Sequence, residues 1–310
     1  MGKIAFIFSG QGAQYIGMGK QIVENFASAD KVFVRASEAL GFDIKEMVFN
    51  GEEETLKITE NTQPTILTTS IACLQPLIEK GITPDVVAGL SLGEYSAHVA
   101  SGTFSFEDAV KLVRKRGKFM QEAVPVGIGT MAAVLGLEKQ DVIDCCKEAS
   151  EAGVVEPANF NCPGQIVVAG DVAAVEKVVE LAKEKGARRS IVLPVSAPFH
   201  CSLLRAAGEK LAEELDKVQV NSMKIPVISN VTGDYIKNKD EVKNLLIKQV
   251  SNSVLWEDSI KRMIDDGVDT FIEIGPGKVL TGFVKKINKD VRILNIEDMD
   301  SLNKICEQIH

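Results

Sequence analysis

Short apolar runs alternate along the chain with longer stretches in which apolar residues return every three or four positions, the pattern of a sheet covered by helices. Runs at 3–8, 85–90, 225–229, 270–274 and 291–295 predict strands of a main sheet, each next to a segment of helical period. Between 129 and 195 the texture changes. There the order is strand 130–135, helix 139–152, strand 154–159, strand 165–169, helix 172–185 and strand 190–193, the βαββαβ arrangement of a ferredoxin-like, split βαβ unit. The expected fold is therefore α/β: a large, mostly parallel sheet domain built from residues 1–127 and 197–310, with a ferredoxin-like subdomain inserted over 128–196. No repeat or low-complexity segment interrupts this order.

Length and charge narrow the function classes. At 310 residues the chain is about twice ordinary domain size, enough for a large core and a smaller companion. Its 45% hydrophobic and 25% charged residues are those of an ordinary globular protein rather than a disordered or fibrous one. A net charge of −8 opposes nucleic-acid binding, so any anionic partner must meet a local basic patch. The six cysteines, Cys73, Cys145, Cys146, Cys162, Cys201 and Cys306, form no CxxC pair, which fits neither a disulfide framework nor a zinc site and suits a reducing cytosol. The apolar start at 4–8 is too short for a signal peptide or a membrane span, and Phe6 stands where a myristoylation pattern starting at Gly2 needs Ser or Thr. A cytoplasmic protein without membrane attachment is expected.

Two glycine patterns follow predicted strands. Gly10, Gly12, Gly17 and Gly19 come after the first, but a dinucleotide fingerprint would need glycine at 15 and finds Tyr15, and no Gly-Lys-Ser/Thr follows, which argues against nucleotide binding. These glycines either leave backbone N–H groups free to face a ligand or simply make a tight strand-to-helix turn. The second pattern is Gly89-Leu90-Ser91-Leu92-Gly93, a GxSxG between an apolar strand and a helical stretch. That setting is what a nucleophile elbow requires, although a structural turn with the same residues is the alternative.

A nucleophilic serine needs a base, and the chain has three histidines. His310 is terminal and expected to fray. His98 lies seven residues beyond Ser91, about 10 Å down a helix and away from the elbow tip. His200, in the loop 196–200, is left as the candidate. No acidic residue announces itself as its orienter, a role a backbone carbonyl can also fill. The helix at 107–123 bears on the substrate. Ala109, Leu112, Val113, Phe119 and Met120 form an apolar stripe with Arg116 in its middle, while Lys111, Arg114, Lys115 and Lys118 occupy the opposite face. An inward guanidinium needs an anion, either an internal carboxylate or the carboxylate of a substrate.

Taken together, GQGAQYIGMG (10–19), GLSLGEYSA (89–97), RGKFMQEAV (116–124), NFNCPGQ (159–165), PFHCSLL (198–204), QVSNSVLW (249–256) and EIGPGKVLTG (273–282) resemble the malonyl-CoA:acyl carrier protein transacylases of type II fatty-acid synthesis, in the same order and over essentially the whole chain. The resemblance implies a hydrolase-like large domain with a ferredoxin-like insert. It implies that Ser91 accepts the acyl group, that His200 is its general base and that Arg116 binds the malonyl carboxylate. The backbone N–H groups of Gln11 and Leu92 would form the oxyanion hole, and the main-chain carbonyl of Gln249 would orient His200. Malonyl-CoA would be the substrate and acyl carrier protein the partner, with no metal or bound cofactor, no nucleic acid or membrane, and a monomeric chain. Lys111, Arg114, Lys115, Lys118, Arg188 and Arg189 are candidates to meet the acidic carrier or the coenzyme A phosphates. Leu90 departs from the family, which usually has His there, and Phe199 resembles the aromatic of malonyl-selective relatives. An esterase or thioesterase would share the elbow, but it usually carries its histidine near the C-terminus and has no use for an inward Arg116. A non-catalytic carrier-binding module would leave serine, histidine and arginine without a common purpose.

Overall fold

Among residues 2–125, 127–195 and 197–309, which the computed structural model describes, eight strands organise the chain. They are β1 (Lys3–Phe8), β2 (Val86–Gly89), β3 (Gly129–Leu135), β4 (Val155–Cys162), β5 (Gln165–Asp171), β6 (Arg189–Val192), β7 (Val268–Ile274) and β8 (Arg292–Ile296). The first two and the last two form a parallel sheet in the order β2-β1-β7-β8. Ala5, Phe6, Ile7 and Phe8 are all buried, on both faces of β1, because helices cover each side and both faces must be apolar.

The predicted strand at 225–229 is not one. It makes an isolated bridge between Val227 and Val87, with Val87 N–H donating to the Pro226 carbonyl and Ile228 N–H to the Val87 carbonyl. Pro226 has no N–H to continue a ladder, so the segment lines the edge of β2 without extending the sheet. Ile228 bridges instead to Tyr235, turning the chain back on itself.

The middle strands form a separate antiparallel sheet, order β4-β5-β3-β6, covered by the helices Lys139–Ala149 and Val172–Glu184. It has its own core of Ala132, Val134, Val142, Cys145, Val175 and Val178. The first strand of this unit lies between its third and fourth, as a ferredoxin-like split βαβ demands. The helix expected to reach residue 152 stops at Ala149 and closes in a 3₁₀ turn, Ser150–Ala152. The edge strand β4 is not left open: Phe160 N–H donates to the Val254 carbonyl (2.9 Å) and Val254 N–H to the Ala158 carbonyl (2.8 Å). Main-chain hydrogen bonds thus tie the small sheet to the segment around Val254.

Beside the parallel sheet runs a 21-residue helix, Thr59–Glu79, buried almost throughout although Asn61, Thr62, Gln63, Thr65, Thr68, Thr69 and Ser70 are polar. Thr65 and Thr68 resolve part of this cost by donating back to the carbonyls of Asn61 and Pro64, one turn earlier. All six cysteines are unpaired thiols. No helix among the described residues is long and apolar enough to cross a membrane.

Candidate active site

The site is built where β1 and β2 end. After Gly89 the chain turns through Leu90, Ser91 and Leu92 into the helix Gly93–Ala100. A Cβ on Gly89 would overlap the Gly93 carbonyl, and one on Gly93 would overlap the Phe8 carbonyl, so only glycine lets helix and strands approach this closely. Ser91 itself is forced into the left-handed region at φ 53°, a conformation costly for any residue with a Cβ. Its main chain is gripped from two sides. Ser91 N–H donates to Asn230 Oδ1 (2.6 Å), and Gln249 Nε2 donates to the Ser91 carbonyl (2.9 Å). Asn230 in turn donates to the Gly89 carbonyl (2.7 Å).

Ser91 Oγ lies 2.7 Å from His200 Nε2, and His200 Nδ1 lies 2.8 Å from the Gln249 carbonyl oxygen. A carbonyl can only accept, so Nδ1 carries the proton and Nε2 offers its lone pair to the serine hydroxyl. His200 is also in the left-handed region, φ 62°, and only 3% exposed. Burial, with the charge of Arg116 adding to it, lowers its pKa to about 3. The imidazole is therefore neutral at ordinary pH, in the form able to take a proton.

Arg116, on the helix Phe106–Ala123, is 1% exposed. Nη1 donates to Gln63 Oε1 (2.9 Å), while Nη2 donates to Gln249 Oε1 (3.0 Å) and to Ser91 Oγ (3.2 Å). Its guanidinium lies 5.4 Å from the Tyr95 ring centroid. None of the ion pairs among the described residues includes Arg116, and its Nε has no partner, so the internal carboxylate allowed for in the sequence is replaced by amide oxygens. Burial pulls this pKa down, and the fields of Tyr95 and Glu94 oppose the shift. The result is a buried guanidinium beside the Ser91 hydroxyl with no carboxylate partner among the described residues, an arrangement able to take up a carboxylate.

Gln11 and Leu92 each sit three residues past the end of a strand, β1 and β2, at the same end of neighbouring parallel strands. Neither backbone N–H donates to an acceptor among the described residues, whereas that of Ser91 is taken by Asn230. Two unused amides at this edge suit a developing negative charge. His98 is fully buried, packed against the Phe104 ring at 5.3 Å with both ring nitrogens unpartnered, and burial lowers its pKa to about 3. It has no hydrogen bond to Ser91. His310 and Ser196 lie outside the described residues. Leu90, half-buried, lets its carbonyl face Gly10, where a Cβ would stand 2.6 Å away.

Of the six proposed docking cations, Lys115 pairs with Glu214 (2.5 Å), Lys118 with Glu122 (3.8 Å) and Arg114 with Glu60 (3.9 Å), while Lys111, Arg188 and Arg189 have no ion pair among the described residues. No group of three or more His, Cys, Asp or Glu among those residues is placed to hold a metal ion. Sequence reasoning passed over Gln63, Glu94, Asn230 and the side chain of Gln249. Gln63 left one signal, its place in an uncharged polar run of a helix long enough to be buried. Asn230, in an irregular loop, left none.

The acyl transferase domain family model matches residues 5–305. A malonyl CoA-acyl carrier protein transacylase of Bacillus subtilis is 50% identical over 303 residues, 97% of this chain and 96% of its own. The crystal structure of malonyl CoA-acyl carrier protein transacylase from Clostridium perfringens superposes with a TM-score of 0.97 at 53% identity, covering 99% of this chain and 97% of that one. A malonyl-transacylase solved in complex with its type II PKS acyl-carrier protein superposes with a TM-score of 0.96 at 39% identity, covering 98% and 99%.

Proposed function

Because the chain belongs to the acyl transferase domain family, we propose that it moves a malonyl group from coenzyme A to the phosphopantetheine thiol of an acyl carrier protein, through a malonyl ester on Ser91, and so supplies malonyl carrier for fatty-acid chain elongation. The observation that carries this reading is the position of Ser91 Oγ, 2.7 Å from His200 Nε2 and 3.2 Å from Arg116 Nη2. Base, nucleophile and carboxylate-binding cation meet at one oxygen.

His200 takes the Ser91 proton as Oγ attacks the thioester carbonyl, and the amides of Gln11 and Leu92 receive the oxyanion. The C–S bond breaks, and the departing coenzyme A thiolate takes the proton from His200. The carrier thiol then loses its proton to His200 and attacks the ester carbonyl. Collapse of that second tetrahedral intermediate returns the proton to Ser91 Oγ. Arg116 holds the distal carboxylate throughout, and the Gln249 carbonyl keeps the imidazole in its productive tautomer. The steps use side chains and amides of the chain alone, acting as a cytoplasmic monomer. Residues 1–127 with 197–310 form the unit that carries this chemistry, and 128–196 form the insert that braces the loop bearing His200.

Brief exposure to malonyl-CoA followed by mass spectrometry should locate a malonyl ester on Ser91 that survives in water and discharges to carrier thiol. Rapid hydrolysis without transfer would point to a thioesterase, and an adduct elsewhere would remove the assignment of Ser91.

A further inference from the structure

Behind the elbow lies a carboxylate for which the reaction above has no use. Glu94, in the first turn of the helix Gly93–Ala100, is fully buried. One of its oxygens, Oε2, accepts from Gln249 Nε2 (2.6 Å) and from Asn230 N–H (3.1 Å), while Oε1 makes no hydrogen bond. These two partners are the residues that grip Ser91, Asn230 at its N–H and Gln249 at its carbonyl. Gln249 also reaches the rest of the site, through its carbonyl to His200 Nδ1 and through Oε1 to Arg116.

The arrangement has a physical purpose. Ser91 at φ 53° stays there only if its surroundings over-determine it. Asn230 approaches from a turn and Gln249 from the helix Val242–Ser251, and each needs a fixed anchor of its own. A single carboxylate oxygen supplies both anchors. Burial pushes the Glu94 carboxyl up to about 7, against the pull of its Asn230 and Gln249 hydrogen bonds, the charge of Arg116 and the Ser229 hydroxyl. The acid and the anion are thus both accessible near neutrality, and Oε2 can accept in either form.

We propose that Glu94 is a positioning residue for acyl transfer: one carboxylate oxygen ties Asn230 to Gln249, and through them both peptide groups of Ser91 are locked in the turn that aims Oγ at His200. The inference rests on the acyl-transfer reading, and it makes the acceptor oxygen, not the charge, the property required at position 94.

Rapid-quench measurement of malonyl-Ser91 formation on the full chain tests it with Glu94→Gln, Glu94→Asp and Glu94→Ala, with thermal melts as the control for folding. Glu94→Gln should acylate within about threefold of wild type, since its amide oxygen replaces Oε2 as the acceptor for Gln249 and Asn230. Glu94→Asp is one methylene short, and it and Glu94→Ala should lose about 100-fold in acylation rate with KM for malonyl-CoA little changed. If the alanine variant does not fold, the Gln and Asp pair decides the matter. Equal rates for Asp and Gln overturn the proposal, as does a Gln variant as slow as the Asp variant. Sulfonylation of Ser91 by phenylmethanesulfonyl fluoride, read by mass, follows the same series without any thioester. A wild-type chain that sulfonylates but never malonylates would sink the transfer reading while leaving this one standing or falling on the sulfonylation series.

Discussion

Ser91 and His200 are the two non-glycine residues with left-handed backbones among those described, and they are held there by different means. Ser91 is fixed from within the large sheet. Glycines at 89 and 93 let the strand and helix close around it, and buried amide side chains, one from a turn and one from the helix Val242–Ser251, clamp its peptide groups. His200 is fixed partly from outside. Ser202, two residues on, donates its N–H (2.8 Å) and its hydroxyl (2.7 Å) to Glu156 of β4, in the small sheet. Ser253, just past the helix Val242–Ser251 that carries Gln249, donates to the Pro157 carbonyl of the same strand (2.6 Å). Ser91 is thus placed by close backbone packing and a buried clamp, whereas His200 is placed partly by polar contacts that the small sheet makes with loops of the body. The first kind of placement leaves a motif in the sequence, and the second does not.

Substitutions on each side measure this contrast. Ser91→Ala should abolish the malonyl-enzyme and lower transfer by at least about 10⁴-fold, as read by labelling and steady-state rates. Arg116→Ala should cost malonyl transfer about 100-fold more than acetyl transfer, since only the malonyl group has a carboxylate to lose. Equal losses for the two acyl groups would show the cation serving the serine alone. Asn230→Ala leaves the partly buried Ser91 N–H without its acceptor, and should slow acylation about 30-fold and lower the melting temperature. Glu156→Ala, at a half-buried contact, should slow it only about threefold. A Glu156 effect as large as that of Asn230 would erase the distinction between the halves. The smallest effect is a flat line. The pKa of His200 is depressed to about 3, so the neutral base persists as pH falls through the usual 6.5, and the rate is lost only on approaching the lower value. A kcat/KM profile from pH 7.5 to 5 checks this, and a drop centred near 6.5 would contradict it.

What could be read in advance follows the same division. The small sheet was legible in its order and most of its bounds, because strand and helix periods there are strong, although β4, expected at 154–159, runs on to Cys162 through two irregularities. β3 was expected at 130–135 and runs Gly129–Leu135, and the second helix was expected at 172–185 and runs Val172–Glu184. The strand at 225–229 failed because apolarity says nothing about a missing N–H, and Pro226 lacks the one that mattered. Arg116 was visible as a cation inside an apolar stripe, and Ser91 through its flanking glycines. Gln11, Leu92 and Gln249 emerged only from resemblance, since a backbone amide or carbonyl leaves no mark on side-chain identity. Glu94 and Gln63 stayed hidden because their partners are far away in the chain, at 230, 249 and 116.

The hydrogen bonds between residue 254 and residues 158 and 160 act as a stitched seam along the outer edge of β4. Any swing of the insert away from the body would have to unpick two amide–carbonyl links, each worth about 1 kcal/mol net and more if water cannot reach the freed groups. Motion of β4 away from the Val254 segment therefore carries this cost, and the seam biases the molecule toward the closed arrangement.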